Sequence, residues 1–185
     1  MKKTVLITCS LLLLFTNTGA QDKFYTKSGK ISFFSSTSLE NIIASNKTTV
    51  CLLDSKTGDL RFAVLIKGFE FKKALMQEHF NSADYMNSNQ YPKAEFKGQL
   101  TNNNIVNYNV NGVYPVSVKG TLTLHGVTKE VETKGNITVK DGKRTASSVF
   151  SILLADYSIT PPRIYRDNIS KSIKITVECS LEPLK

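Results

Sequence analysis

The sequence predicts an all-β protein whose antiparallel strands are interrupted by one short helix, and three observations carry this prediction. Apolar and polar residues alternate with a period of two through most of the chain after residue 20. Clusters of turn-forming residues separate the alternating runs at short intervals. The segment Phe71 to Phe80 (FKKALMQEHF) instead contains good helix formers and no β-branched residue. Many short antiparallel strands of this kind build a barrel or a sandwich.

The first 20 residues have the features of a secretory signal peptide. A positive start at Met1 to Lys3 precedes the apolar run Val5 to Phe15, and small or polar residues lead to an expected cleavage after Ala20. The run is too short to cross about 30 Å of hydrocarbon comfortably, which disfavours a membrane anchor. We therefore expect a signal peptide at 1–20 and a single domain at 21–185.

Seven alternating runs follow the predicted signal peptide. Each run places apolar side chains on one face and charged or hydroxyl side chains on the other, and this one-sided burial is typical of antiparallel pairing. Turns are expected at Ser55 to Asp59, at Asn102 to Asn104 and at Asp141-Gly142, where the last dipeptide is a strong hairpin signal. The predicted strand runs are 31–35, 60–66, 94–100, 116–124, 131–139, 150–154 and 173–181.

Alternation also selects the residues that should face the interior. Each of them, taken singly, is compatible with plain core packing, so the functional hypothesis concerns the interior as a whole. Ten inward residues lie on the predicted strands: Phe33, Phe62, Val64, Phe96, Leu122, Leu124, Phe150, Ile152, Ile175 and Val177. Five more, in and before the predicted helix, are candidates for a plug or lid: Phe69, Phe71, Leu75, Met76 and Phe80.

Two cysteines, Cys51 and Cys179, remain after the predicted cleavage. An even count in an oxidising compartment suggests a disulfide, which would stabilise the fold by about 4–5 kcal/mol in the chain-entropy model. The alternative is that both are small, buried, apolar residues. The sequence leaves both interpretations open.

The net charge of +9 falls to +7 when Lys2 and Lys3 leave with the signal peptide. The lysines are scattered along the chain, so no nucleic-acid-binding arm is predicted. A mildly basic surface favours transient contact with anionic lipid headgroups. Its plainer interpretation is a charged, solvated surface.

Motifs that carry chemistry are missing from the sequence. His79 and His125 stand alone, without an HExxH or CxxC pattern, and no P-loop, G-x-S-x-G or G-x-G-x-x-G motif occurs. His125 precedes Gly126, where a turn role is expected, and Asp156 is a lone carboxylate at a strand end. We therefore predict a non-enzymatic protein without catalytic residues, metal or cofactor.

Several segments together resemble one family. The run Gly120 to Val131 (GTLTLHGVTKEV) resembles the signature of the YceI-like family of bacterial periplasmic proteins, in which a similar stretch joins two strands. Tyr91 to Phe96 (YPKAEF), the preceding Leu75 to Met86, and Asp156 to Ile159 (DYSI) are similar to further family elements. The resemblance covers roughly residues 24 to 182.

The resemblance implies an eight-stranded, antiparallel, lipocalin-like barrel in the periplasm. It further implies a long-chain amphiphilic lipid, such as a polyisoprenoid, held along the barrel axis for transport, storage or sequestration. An eight-stranded barrel is wide enough for one slender ligand. The family's early V-x-G-x-F element has no counterpart in Ile42 to Leu53. The alternative hypothesis is a barrel filled by its own side chains that serves as an envelope protein-interaction module without a lipid.

Overall fold

A computed structural model describes residues 22–184, so the predicted signal peptide at 1–20 lies outside the described residues. The described chain contains nine strands, one α-helix and several short 3₁₀ turns. The helix α1 spans Ala74–Asn81. The strands are β1 (Lys23–Ser36), β2 (Asn41–Asp54), β3 (Asp59–Leu65), β4 (Glu70–Phe71), β5 (Lys93–Leu100), β6 (Gly112–Leu124), β7 (Val127–Lys140), β8 (Lys143–Leu153) and β9 (Ser172–Pro183).

Eight of these strands close into an antiparallel barrel. Their order is β1-β9-β8-β7-β6-β5-β3-β2, and β2 pairs back with β1 over nearly its whole length. The two-residue strand β4 adds only a short pairing to β2, with Phe71 opposite Ala44. The predicted eight-stranded barrel with a short helix between strands is therefore confirmed.

Two tight hairpin turns fix the register in the second half of the barrel. Asp141 and Gly142 join β7 to β8, and both have positive φ, of 49° and 74°. His125 and Gly126 join β6 to β7 in the same way, with φ of 51° and 76°. Positive φ at both central residues defines the type I′ turn, whose twist matches that of the flanking strands. The turn role predicted for His125 is confirmed.

The predicted start of the helix is wrong. Phe71 is not helical but lies in β4, a bend follows at Lys72 and Lys73, and α1 begins at Ala74. The reason is tertiary packing, because the ring of Phe71 contacts the rings of Phe33 and Phe80 at centroid distances of 5.7 and 5.0 Å. Pairing with β2 holds the Phe71 backbone extended in that position, so local helix propensity is overridden.

Strand β2 was not among the predicted runs, because two buried polar residues break its alternation. Asn46 and Thr49 are both fully buried. The Asn46 side chain donates a hydrogen bond to the carbonyl oxygen of Leu65 at 2.9 Å and accepts one from the backbone N–H of Thr48 at 2.8 Å. Asn46 thus holds the end of β3 against β2.

One end of the barrel, which we call the floor, is filled by side chains. The rings of Phe24 and Tyr108 stack with their centroids 5.6 Å apart, and the guanidinium of Arg144 lies 4.7 Å from the centroid of the Phe24 ring. The Tyr108 hydroxyl donates a hydrogen bond to Asn103 Oδ1 at 2.7 Å. Burial raises the pKa of the Tyr108 phenol, so this donor is uncharged at neutral pH. The floor therefore closes the barrel at this end.

Cys51 on β2 and Cys179 on β9 are fully buried in the same core cluster as the floor residues. The structure describes both as free thiols that hydrogen-bond to each other, and this bond together with burial raises the pKa of Cys51. The two strands are separated only by β1. In the structure, therefore, the two cysteines are small buried residues, while the sequence left both this interpretation and a disulfide open.

We predict that mature protein from an oxidising compartment carries a Cys51–Cys179 disulfide. Titration of thiols in denaturant should then find none before reduction, and reduction should lower the free energy of unfolding by about 4 kcal/mol, because the cross-link restricts the unfolded chain. The control is Cys51→Ala, whose stability should not respond to reductant. Two titratable thiols in the unreduced wild-type protein would contradict the prediction.

Candidate functional site

A cavity of about 460 Å³ runs inside the barrel above the floor. All eight barrel strands contribute to its wall, and segment 66–86, which includes α1, contributes to its far end. The volume lies within the range typical of small-molecule sites, which are concave and mostly apolar. The barrel is thus only partly filled by its own side chains.

The structure places every predicted interior residue on the wall of this cavity. The two predicted groups, on the strands and on the segment around α1, meet there although they are far apart in sequence. Their contact with a ligand stays a prediction. The residues are Phe33, Phe62, Val64, Phe69, Phe71, Leu75, Met76, Phe80, Phe96, Leu122, Leu124, Phe150, Ile152, Ile175 and Val177.

A pair of glycines shapes the wall between β5 and β6. Gly98 and Gly120 are directly opposite each other, and a Cβ on Gly120 would lie 2.5 Å from Gly98 Cα and 2.7 Å from Phe96 Cζ. The Phe96 ring therefore lies over the two glycines, flat against the wall. It meets the ring of Phe62 on β3 edge-to-face, at a centroid distance of 6.3 Å. This packing explains the first glycine of the GTLTLHG run, since any side chain there would displace the ring.

Four phenylalanines, Phe33, Phe69, Phe71 and Phe80, form an aromatic cap at the end of the cavity opposite the floor. Their ring centroids are 5.0 to 5.7 Å apart in five pairs, in tilted, edge-to-face and stacked arrangements. Such pairs stabilise packing beyond the area they bury. The cap joins β1, β4 and α1, which explains why a helix crosses this end of the barrel.

Polar side chains ring the cavity around the aromatic cap, and we call this ring the mouth. Glu40 accepts a hydrogen bond from Lys73 Nζ at 3.3 Å and another from Asn168 Nδ2 at 3.5 Å. The ring of His79 lies 5.6 Å from that of Tyr165, which ties α1 to the segment after β8. These contacts hold three separate segments together at the mouth.

The sequence pattern does not indicate the residues of the mouth. Glu40, Lys73 and Asn168 lie in turns and connections, where no alternation marks an inward side chain. Tyr85 also lines the cavity, and burial raises the pKa of its phenol, so it offers an uncharged hydroxyl there at neutral pH. The sequence signal nearest to these residues is the resemblance of 75–86 and 156–159 to family elements. That resemblance does not show where a side chain lies relative to the cavity.

The chemistry of the cavity wall is dominated by hydrocarbon. Among residues 22–184, no three His, Cys, Asp or Glu side chains come together as metal ligands. His125 is occupied in the hairpin, where its Nδ1 lies 3.2 Å from the Tyr157 carbonyl oxygen and its ring lies 4.5 Å from that of Tyr91. None of the helices in the described part of the chain has the length and apolar character that crossing a bilayer requires.

A family model for the YceI-like domain matches residues 13–181. The chain belongs to the YceI-like family. The solved structures most useful for comparison share only 14–15% identity, so they show the likeness of the fold alone. None of the curated proteins compared matches this YceI-like chain.

Three solved structures illustrate the likeness of this YceI-like protein to others. A polyisoprenoid binding domain from Saccharophagus degradans, implicated in plant cell wall breakdown, is 14% identical with a TM-score of 0.76 over 89% of this chain and 100% of that one. Burkholderia cenocepacia BcnA is 15% identical, with a TM-score of 0.68 over 83% and 96% of the two chains. A Campylobacter jejuni YceI protein is 15% identical, with a TM-score of 0.53 over 100% and 99%.

We predict that Gly120→Ala destabilises this YceI-like barrel by about 1–3 kcal/mol, because the new methyl group displaces the Phe96 ring and the opposite strand. Urea unfolding measures the change. The matched control on the same strand is Gly112→Ala, whose Cβ would come no closer than 3.2 Å to the ring of Tyr114. Equal stability losses in the two variants would show that the glycine pair does not shape the wall.

Proposed function

We propose that this YceI-like protein binds one long-chain amphiphilic lipid of the polyisoprenoid type inside the barrel and performs no catalysis. The observation that carries the proposal is the partly empty, apolar cavity, walled by all eight strands and closed at the floor. Hydrocarbon that moves from water into such a wall gains about 25 cal/mol for each Å² it buries. The apolar tail therefore lies along the barrel axis, and the polar end lies where the wall carries polar groups.

The comparisons support the ligand class. A solved structure with the same fold is described as a polyisoprenoid binding domain. A slender, branched hydrocarbon chain suits a narrow tube lined by aromatic rings and branched aliphatic side chains. The empty volume favours this function over the filled-barrel interaction module, because a filled barrel would leave no room for a ligand.

The protein is proposed to work in the periplasm as a carrier, store or sequestering protein for this lipid. The signal-peptide features of residues 1–20 support this location. Such a protein must take its ligand from a membrane or from another carrier, so transient contact with a membrane surface belongs to the proposal. Scattered surface lysines would favour anionic headgroups during that contact.

We predict that the natively purified mature protein releases a long-chain lipid, in roughly one-to-one ratio, into organic solvent. Mass spectrometry of the extract identifies the lipid and its amount. The reason is that a partly empty apolar cavity gains free energy when a tail fills it. A lipid-free extract, both before and after incubation with total envelope lipids, would contradict the proposal.

We further predict that Leu122→Trp abolishes the bound lipid, because the indole fills the tube beside Phe96. Overpacking of this kind costs about 1–3 kcal/mol of stability, so folding is checked by circular dichroism. The matched control is Val113→Trp, on the same strand but with an exposed side chain outside the cavity. The proposal fails if folded Leu122→Trp protein retains lipid as Val113→Trp protein does.

A further inference from the structure

The hydrogen-bonded ladder between β7 and β8 covers only part of both strands. Pairing starts at the hairpin, with Lys140 opposite Lys143, and stops where Gly135 faces Ser148. Both strands continue beyond that point and remain paired with their other neighbours, β6 and β9. Residues 127–134 of β7 and 149–153 of β8 therefore have no backbone pairing with each other. We call this part of the barrel wall the window.

Side-chain exposure along β7 changes at the window. In the paired half, the inward-facing Ile137 and Val139 are each only 2% exposed. In the unpaired half, Val131 and Thr133 have the same parity but are only half-buried, and Lys129 is exposed. The change coincides with the end of the ladder to β8, and Ile137 and Val139 belong to the packed core cluster of the floor.

Side-chain hydrogen bonds mark the two ends of the window. On the floor side, the Ser148 hydroxyl donates to the Lys134 carbonyl oxygen at 2.8 Å, and its oxygen lies 3.4 Å from Thr133 Oγ1. On the mouth side, His125 Nδ1 lies 3.2 Å from the Tyr157 carbonyl oxygen. Thr133 and Ser148 also line the cavity. The cavity therefore extends to the window.

Opening the window disrupts fewer contacts than opening the mouth. The mouth is held by the four packed rings of the aromatic cap and by the bonds of Glu40 to Lys73 and Asn168. At the window, backbone pairing between the two strands is already missing, and the polar contacts to break are the Ser148 hydroxyl bonds and the contact of His125 with Tyr157. The outer face of β8 beside the window also presents Val149 and Leu153, which are 55% and 49% exposed.

We propose that the window is a lateral port through which the lipid chain enters and leaves the barrel, tail first, while the floor and the aromatic cap stay closed. Val149 and Leu153 give the tail an apolar surface before it passes between the strands. This inference rests on the proposed lipid-binding function, and it specifies the route that the ligand takes. It places exchange at the barrel wall rather than at the barrel end.

The test cross-links the window and measures loading of a fluorescent long-chain fatty acid, cis-parinaric acid, delivered from phosphatidylcholine vesicles. Thr133→Cys with Ser148→Cys places two thiols where hydroxyl oxygens are 3.4 Å apart. Oxidation of this double variant should slow loading by roughly ten-fold or more, as expected when a gate limits exchange. Reductant should restore the rate.

The matched control is Thr138→Cys with Thr145→Cys, a directly opposed pair in the paired half of the same two strands. Its loading rate should be the same when oxidised and reduced. Equal loading rates for the oxidised and reduced window variant would contradict the proposed lateral port and would indicate that lipid enters at the mouth. Wild-type protein that shows no fluorescence rise would instead overturn the lipid-binding function itself, which separates the two failures.

A second variant, which needs no cross-link, should change the loading rate in the opposite direction. Ser148→Ala removes the hydroxyl that bonds Lys134 and Thr133 across the window, so loading should become roughly two- to ten-fold faster, as expected for the loss of one hydrogen bond. Ser151→Ala, an exposed position on the outer face of β8, is the control and should leave the rate unchanged. An unchanged rate for Ser148→Ala would contradict the port.

Discussion

Closure of the sheet, through pairing of β1 with both β2 and β9, is the constraint on which the rest of the structure depends. An open sheet with the same alternation would expose one apolar face to water. Closure turns that face inward on all eight strands at once, so the apolar side chains line a common tube. Eight strands leave a tube just wide enough to be filled by side chains or to hold one slender ligand.

Local packing decides whether the tube is filled by side chains or left open at each height along the barrel axis. At the floor, Phe24 and Tyr108 stack across the tube and close it. At mid-height, the glycine pair lets the ring of Phe96 lie against the wall, so the axis stays free. At the far end, the aromatic cap is held above the axis by β4 and α1. The protein thus combines a closed floor, an open middle and a packed cap, an arrangement that suits a hydrocarbon tail.

Alternation predicted the cavity wall well, because parity on an antiparallel strand depends only on the sequence. It failed where tertiary contacts override local pattern. The buried polar Asn46 breaks the alternation of β2, so this strand was not predicted. The packing of Phe71 against Phe80 keeps Phe71 out of the helix, so the helix begins later than predicted. The mouth residues could not be found, since turns carry no parity. The window could not be predicted either. Residues 131–139 and 150–154 alternate in the same way as fully paired strands, because alternation within one strand does not show which neighbouring strand it pairs with.

The most direct test of the central claim locates the chain of a bound lipid. The protein would be crystallised with a long-chain fatty acid brominated at mid-chain, and anomalous scattering would give the bromine position. We expect a bromine inside the barrel, between the floor and the aromatic cap and close to the rings of Phe62 and Phe96. A bromine found only on the outer surface, with protein side chains filling the tube, would contradict it.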